Sequence, residues 1–267
     1  MADRVGRIVL ALPLLAVLSM AALPRLWTRR DPRDCDLALG ARPPDAAHVF
    51  GTNALGCDYY AMTVHGARPA VLVGLCAAVA AVVVGGLAGT VAGYRGGWVD
   101  SAVSRTADVF AALPALLGVL VLLTLLRAHS VVAVVGALAL LGWPPVARIA
   151  RGATIAARRS GHADAARALG ASHPHVVLRH VLPDALPPVV AVGSTSLGGY
   201  LAAESTLSYL GVGLRPPAVS WGVLVNQSRD LAEHPHLLLF PGGFLLVTVV
   251  CLVLLGDVAG DALDRRG

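Results

Sequence analysis

The chain has 267 residues, 56% hydrophobic and 14% charged, with 21 Lys plus Arg against 16 Asp plus Glu and a net charge of +5. A soluble domain carries about 25% charged residues, so this composition points to a membrane protein and away from a water-surrounded globule. Every basic residue is arginine, which excludes a phosphate-binding loop built on lysine and any Schiff-base chemistry on a lysine amine.

The abundance of Ala, Gly, Arg, Pro and Val gives the missing lysine an ordinary origin in codon usage, and the exclusion holds whatever the origin. Any nucleotide site that this protein's work requires must come from a partner. A bilayer core about 30 Å thick is crossed by roughly 20 apolar residues in a helix, whose backbone groups are satisfied internally. Six long uncharged runs meet that need: Ile8 to Pro24, Ala70 to Ala92, Val109 to Leu126, Val131 to Ala147, Ala185 to Ala203 and Leu237 to Gly256. The expected fold is an all-α membrane protein of about six transmembrane helices, with no room for a soluble domain.

The first run follows Arg4 and Arg7 and ends in the small residues Ser19, Ala21 and Ala22, a layout shared by retained anchors and secretory signals. Its length favours an anchor. The loop after it mixes Arg25, Arg29, Arg30, Arg33, Arg42 and Arg68 with Asp31, Asp34, Asp36, Asp45 and Asp58. Cys35 and Cys57 also lie there, whereas Cys76 and Cys251 fall within spans. In an oxidising compartment the loop pair can form a disulfide; the alternative is two free thiols.

Arginine asymmetry sets orientation. With the N-terminus inside, Arg95, Arg105, Arg148, Arg151, Arg158, Arg159, Arg167 and Arg179 join Arg4, Arg7, Arg265 and Arg266 on the cytoplasmic side. The first loop votes the other way, because acidic residues do little to cancel the rule. Six spans place both termini on one face, and the basic segment between the fourth and fifth spans makes that face cytoplasmic.

That segment, roughly Arg148 to Asp184, carries its own helical punctuation. Gly161 and Gly170 bracket a short helix, with Asp164 near its N-terminus where negative charge complements the dipole and Gly170 suited to the left-handed C-terminal position. Ser172 can cap a second helix with Pro174 in its first turn. Val177, Leu178, Val181 and Leu182 give that helix one apolar stripe, and Pro183 is expected to stop it.

Beyond the fifth run, Glu204 is an ionisable residue near membrane depth. It is read either as a structural or gating acid near the outer interface, hydrogen-bonded to backbone or arginine, or as a contact for a cationic group of a substrate. The pairs His173 with His175 and His234 with His236 each flank a proline and lack the helical spacing of a metal site, so they are read as ordinary loop histidines.

Taken together, these stretches resemble a known family. Asp164-Ala165-Ala166-Arg167-Ala168-Leu169-Gly170, followed by His180-Val181-Leu182-Pro183, is similar to the EAA loop of ABC-importer permeases: Glu-Ala-Ala, three residues, Gly, nine residues, Ile, one residue, Leu, Pro. Asp164 stands for the family's Glu and His180 for its Ile. Arg179-His180 before Val181-Leu182-Pro183 resembles the dipeptide, oligopeptide and nickel branch. Phe50 to Asp58, Gly66 to Arg68, Ala92 to Asp100, Ala203 to Gly213, Pro216-Pro217 and Ser220-Trp221-Gly222 resemble further segments of that branch. The likeness runs from about Val49 to the end; before it, only the layout of anchor helix and outer loop is similar. Asn53 and Cys57 stand where the branch has Asp and Arg, so any ion pair the family builds there is missing.

The resemblance implies a type I ABC-importer permease fold, with a coupling helix between the fourth and fifth spans. Residues 1–68 would be the anchor and extracytoplasmic loop, and residues 69–267 the permease domain, with its EAA loop at 149–184. Asp164, Ala165, Ala166, Gly170, His180, Leu182 and Pro183 would couple to a separate ATPase subunit. Small alanines would let two backbones approach there, and Gly170 would redirect the chain. The implied partners are a homologous second permease, one or two ABC ATPases holding ATP and Mg, an extracytoplasmic substrate-binding protein and membrane lipid, with no nucleic acid and no cofactor bound directly. The implied location is the bacterial inner membrane, and the implied cargo is a peptide or related small solute.

Two other classes of protein also have several membrane spans. An intramembrane serine protease needs a Gly-x-Ser-Gly nucleophile and an intramembrane His, and Gly193-Ser194-Thr195-Ser196 lacks that pattern. A stand-alone secondary transporter of a small solute is the alternative reading. It needs coupling-ion groups near the bilayer midplane, where Glu204 is the available acid.

Overall fold

A computed structural model describes residues 2–229 and 233–264; Arg265 and Arg266 lie outside them. Long apolar stretches rich in Ala, Leu and Val can satisfy their backbone only by coiling, and the described chain is helical almost throughout. In order it forms α1 (Ala2–Ala22), a polar loop with two short 3-10 turns, α2 (Tyr59–Arg95), α3 (Gly97–Ala111), α4 (Ala115–Leu126) and α5 (Val131–Arg158). Then come α6 (Gly161–Ala168), α7 (His173–Val176), a π turn (Val177–Val181), α8 (Leu182–Tyr209), α9 (Trp221–Gln227) and α10 (His236–Asp264).

Among the described residues, four helical stretches are long and apolar enough to cross a membrane: Tyr59–Arg95, Val131–Arg158, His173–Tyr209 and His236–Val258. They contain the second, fourth, fifth and sixth of the expected runs. The first run lies in α1, whose apolar part Val9–Ala22 is shorter. The third run is not one straight helix, because α3 and α4 meet at a bend of 83°. Pro114 explains the break: it has no N–H to continue the ladder, its ring crowds the carbonyl four residues back, and it keeps Leu113 out of the helical region.

Pro183 behaves in the opposite way and corrects the expectation that it stops a helix. The π turn places the Leu182 N–H on the Val177 carbonyl. This wider turn carries the chain past Pro183 into α8, and the helix runs unbroken from His173 to Tyr209. Ser172 takes the extended N-cap backbone but its side chain makes no capping bond.

The chain divides into two compact units. One comprises residues up to Leu75, Leu120–Val134 and Gly198–Leu255. It is built around fully buried Tyr59 and Trp221, with Met62, Val64, Leu224 and Leu237 beside them. The Trp221 indole donates to the Thr63 carbonyl at 2.9 Å and the Tyr59 hydroxyl to the Leu237 carbonyl at 2.6 Å, so both aromatic residues are satisfied in an apolar core.

The other unit comprises Cys76–Val119, Val135–Leu197 and residues from Gly256 onward. Its central feature is a stripe of three glycines, Gly85, Gly89 and Gly93, packed on α5. A Cβ at Gly85 would lie 2.6 Å from the Trp143 carbonyl oxygen, one at Gly93 would lie 2.7 Å from that of Arg151, and one at Gly89 would overlap that of Ala147. Spacing of four puts all three on one helix face, and only a missing side chain lets the backbones approach this closely.

Candidate functional site

The segment singled out between the fourth and fifth spans folds as one small element within the second unit. Ala163, Val176 and Val181 are fully buried and pack with Ala157 into a core that Tyr94, Ala166 and Ala171 flank. This inward face leaves Asp164, Ala165, Ala168, Leu169 and Gly170 exposed, Leu169 at 88%. Gly170 has φ of +82° with open space around it, so glycine is required there by backbone conformation and not by crowding.

Arginines fasten this element to the ends of its neighbours. Arg167 donates to Asp164 at 2.6 Å and to the Arg158 carbonyl at 2.8 Å. Arg158 in turn donates to the Tyr94 carbonyl at 2.7 Å and lies over the Tyr94 ring. The Tyr94 hydroxyl meets His173 Nδ1 at 3.0 Å. Arg151 grips Asp100 with both Nε and Nη2, a fork that fixes orientation as well as distance. Tyr94, Arg158, Arg167 and His173 border a cavity of about 800 Å³ that Pro174 and Leu178 also line. His180 and Leu182 are half-buried and Pro183 is exposed.

The sequence-predicted residues therefore gather on one element without sharing one surface. Asp164, Ala165 and Gly170 face outward, Ala166 turns partly inward, and His180 to Pro183 form the start of the fifth span. The element presents a small-residue surface with an exposed leucine, Leu169.

Glu204 belongs to the first unit and is fully buried. Its carboxylate accepts hydrogen bonds from Ser208 at 2.8 Å, Ser205 at 3.1 Å and Ser220 at 3.1 Å. Two of these serines also hold the following segment: Ser208 Oγ accepts from the Leu214 N–H and Ser220 Oγ from the Val223 N–H. Glu204 is thus the hub that ties the end of α8 to the turn at Gly211 to Leu214 and to the start of α9. Among the described residues, no arginine or histidine pairs with it.

In the loop before α2, Cys35 and Cys57 are joined by a disulfide. Next to it Asp58 caps α2 by accepting from the Ala61 N–H, and it also accepts from Arg30 at 2.6 Å and meets His48 at 2.9 Å. Asn53 accepts the N–H groups of Leu55 and Cys57. Asp45, outside the spans, is held below its usual carboxylate value chiefly by the backbone N–H of His48. The loop carries an ion pair between Arg30 and Asp58, which involves neither Asn53 nor Cys57.

Sequence reading missed the Tyr94, Arg158 and His173 cluster and the Arg30, His48 and Asp58 cluster. Their members come from different elements, and no spacing rule connects them. The one available signal was Asp58 directly before α2, a helix-capping position.

Residues 81–266 match the family described as "Binding-protein-dependent transport system inner membrane component". The chain is 32% identical to the oligopeptide transport system permease protein OppC of Bacillus subtilis, over 98% of this chain and 85% of that protein. It is 35% identical to the dipeptide transport system permease protein DppC of the same organism, over 84% of this chain and 70% of that one. To the glutathione transport system permease protein GsiD of Pectobacterium atrosepticum it is 32% identical over 84% and 74%. Among solved structures, an inward-facing MetNI methionine ABC transporter aligns with a TM-score of 0.62 at 21% identity, covering 77% of this chain and 95% of that one. At that identity the likeness speaks for the fold.

Proposed function

The chain belongs to the family of binding-protein-dependent transport system inner membrane components, and from that premise we propose how it works and what it carries. It is a multi-pass membrane protein and the non-catalytic permease subunit of an ATP-driven importer. It works with ATPase and substrate-binding subunits. We read its cargo as peptides, because relatives matching most of its length are named for oligopeptide and dipeptide transport. That observation carries the reading.

In this reading a homologous second permease supplies the other half of the pathway, and ATP with Mg sits on the ATPase partners. The location is the bacterial inner membrane with both termini in the cytoplasm. Asp164, Ala165, Ala166 and Gly170 dock into the ATPase, while His180, Leu182 and Pro183 pass its movement to the fifth span. Residues 1–68 form the anchor and outer loop, and residues 69–267 the permease domain. Glu204 holds the outer segment in shape, and the Cys35 to Cys57 bridge secures the loop before α2. The secondary-transporter alternative would leave the EAA-like element without a role.

Purification with its partner subunits and reconstitution into proteoliposomes tests this. Peptide uptake should need ATP and a loaded binding protein. Gly170→Val should leave the assembly intact and sever ATP hydrolysis from uptake, since a β-branched residue in the left-handed region costs about 1–2 kcal/mol. Uptake driven by an ion gradient without ATPase would defeat the proposal, and unchanged transport by Gly170→Val would defeat the coupling assignment.

A further inference from the structure

We propose that a basic cavity in the first unit binds the phosphate of an anionic phospholipid. The cavity, about 500 Å³, is lined by Arg25, Arg29, Arg30, Arg33, Arg68 and His65. Among the described residues, Arg30 alone of these five arginines has a carboxylate partner, Asp58. Asp31 also borders the cavity, and with Asp58 it offsets two of the five arginine charges. Guanidinium groups gathered in one concavity with only partial neutralisation raise a strong positive potential. Their planar donor forks suit phosphate oxygens.

The depth of the cavity is fixed from two sides. Arg25 directly follows the uncharged run that ends at Pro24, and Arg68 lies just before the run that begins at Ala70. Both therefore stand at a boundary between hydrocarbon and headgroups. Along α1, Val9, Leu12, Leu15 and Leu18 are exposed at 60%, 61%, 60% and 42%; their spacing of three winds an apolar strip gradually round the helix, and at hydrocarbon depth it meets lipid. Leu23, Leu26 and Trp27 carry exposed apolar surface on from α1, and tryptophan favours the interfacial zone.

A lipid satisfies both parts at once: its acyl chains lie along the apolar strip while its phosphate sits among the arginines. An acidic protein surface would meet the charge but has no counterpart for the apolar strip that adjoins it at lipid depth. The site also gives the arginines that run against the positive-inside rule a local counter-charge. The proposal needs membrane insertion only; it does not rest on the cargo, on ATP coupling or on which face carries the loop.

Native mass spectrometry of the transporter, purified with its partner subunits and titrated with defined lipids, tests it. Phosphatidylglycerol should be retained over zwitterionic phosphatidylcholine. In the Arg29→Gln/Arg33→Gln double variant, phosphatidylglycerol binding should fall about 25-fold, because each arginine near a charged lipid surface contributes about fivefold, the equivalent of about 1 kcal/mol. Phosphatidylcholine binding and subunit assembly should not change, and Arg105→Gln, away from the cavity, should behave as the parent. Inorganic phosphate at millimolar concentration should not displace the lipid; if it does, the site takes free anions and the proposal fails. Equal retention of phosphatidylglycerol by parent and double variant overturns it, whether or not the binding protein then docks more weakly.

Discussion

Glu204 shows how a buried carboxylate can be satisfied without a cation. Three hydroxyls donate to it, and two of those serines relay the hold to the backbone at Leu214 and Val223. Ser205 and Ser208 could be anticipated as helical neighbours of Glu204. Ser220 could not, because it follows a non-helical turn whose course depends on Gly211 at φ +75°. Leaving a buried hydrogen-bonding group unpaired costs about 1–3 kcal/mol. Glu204→Gln, which keeps the shape and can still accept on one oxygen, should lower uptake severalfold and equally for cationic, neutral and anionic peptides. Glu204→Leu strands all three serines and should yield little assembled transporter. Uptake assays with three peptides differing only in charge decide between roles: a loss confined to cationic peptides would make Glu204 a cargo contact.

Among the elements, hydropathy located the apolar runs well and backbone breaks poorly. Pro114 and Pro183 read alike in sequence, yet one bends the chain by 83° and the other is carried through by a π turn. The difference lies in whether the preceding turn can widen to free the crowded carbonyl, which transfer energies do not encode. The short helix before Gly170 and the left-handed glycine itself were legible, because Gly is the default residue for that backbone. The glycine stripe of α2 was visible as composition, but its partner was not. Gly89→Leu should be the most damaging change in this element, because any Cβ there meets the Ala147 backbone, which cannot rotate away. Overpacking costs about 1–3 kcal/mol even where side chains can yield. Gly152→Ala, with open space at its Cβ, serves as the matched control. Unfolding followed by tryptophan fluorescence, with Trp143 beside the stripe, should show a clear drop in midpoint for the first and none for the second; equal midpoints would refute the close packing.

For the whole molecule, composition alone separated a membrane protein from a soluble one, and the missing lysine already sent the nucleotide site to another chain. Orientation was the weakest inference, because the first loop carries as much arginine as a cytoplasmic one. Protease access resolves it. In sealed right-side-out vesicles, trypsin should cut at Arg29 or Arg33 and spare Arg159 and Arg179; inverted vesicles should reverse the pattern. Reductant should speed the outer cut severalfold, since the bridge spans 22 residues of sequence and closing a loop of that size is worth about 3 kcal/mol. Cleavage at Arg159 from the outside would invert the topology.

The glycine stripe has one more consequence. Where Gly85, Gly89 and Gly93 bring α2 against the α5 backbone, there is no cushion of side chains to slide or repack. These two stretches behave as a single girder. An import cycle that alternately opens and closes a passage has to find its moving joints elsewhere, at seams filled by larger, rotatable groups.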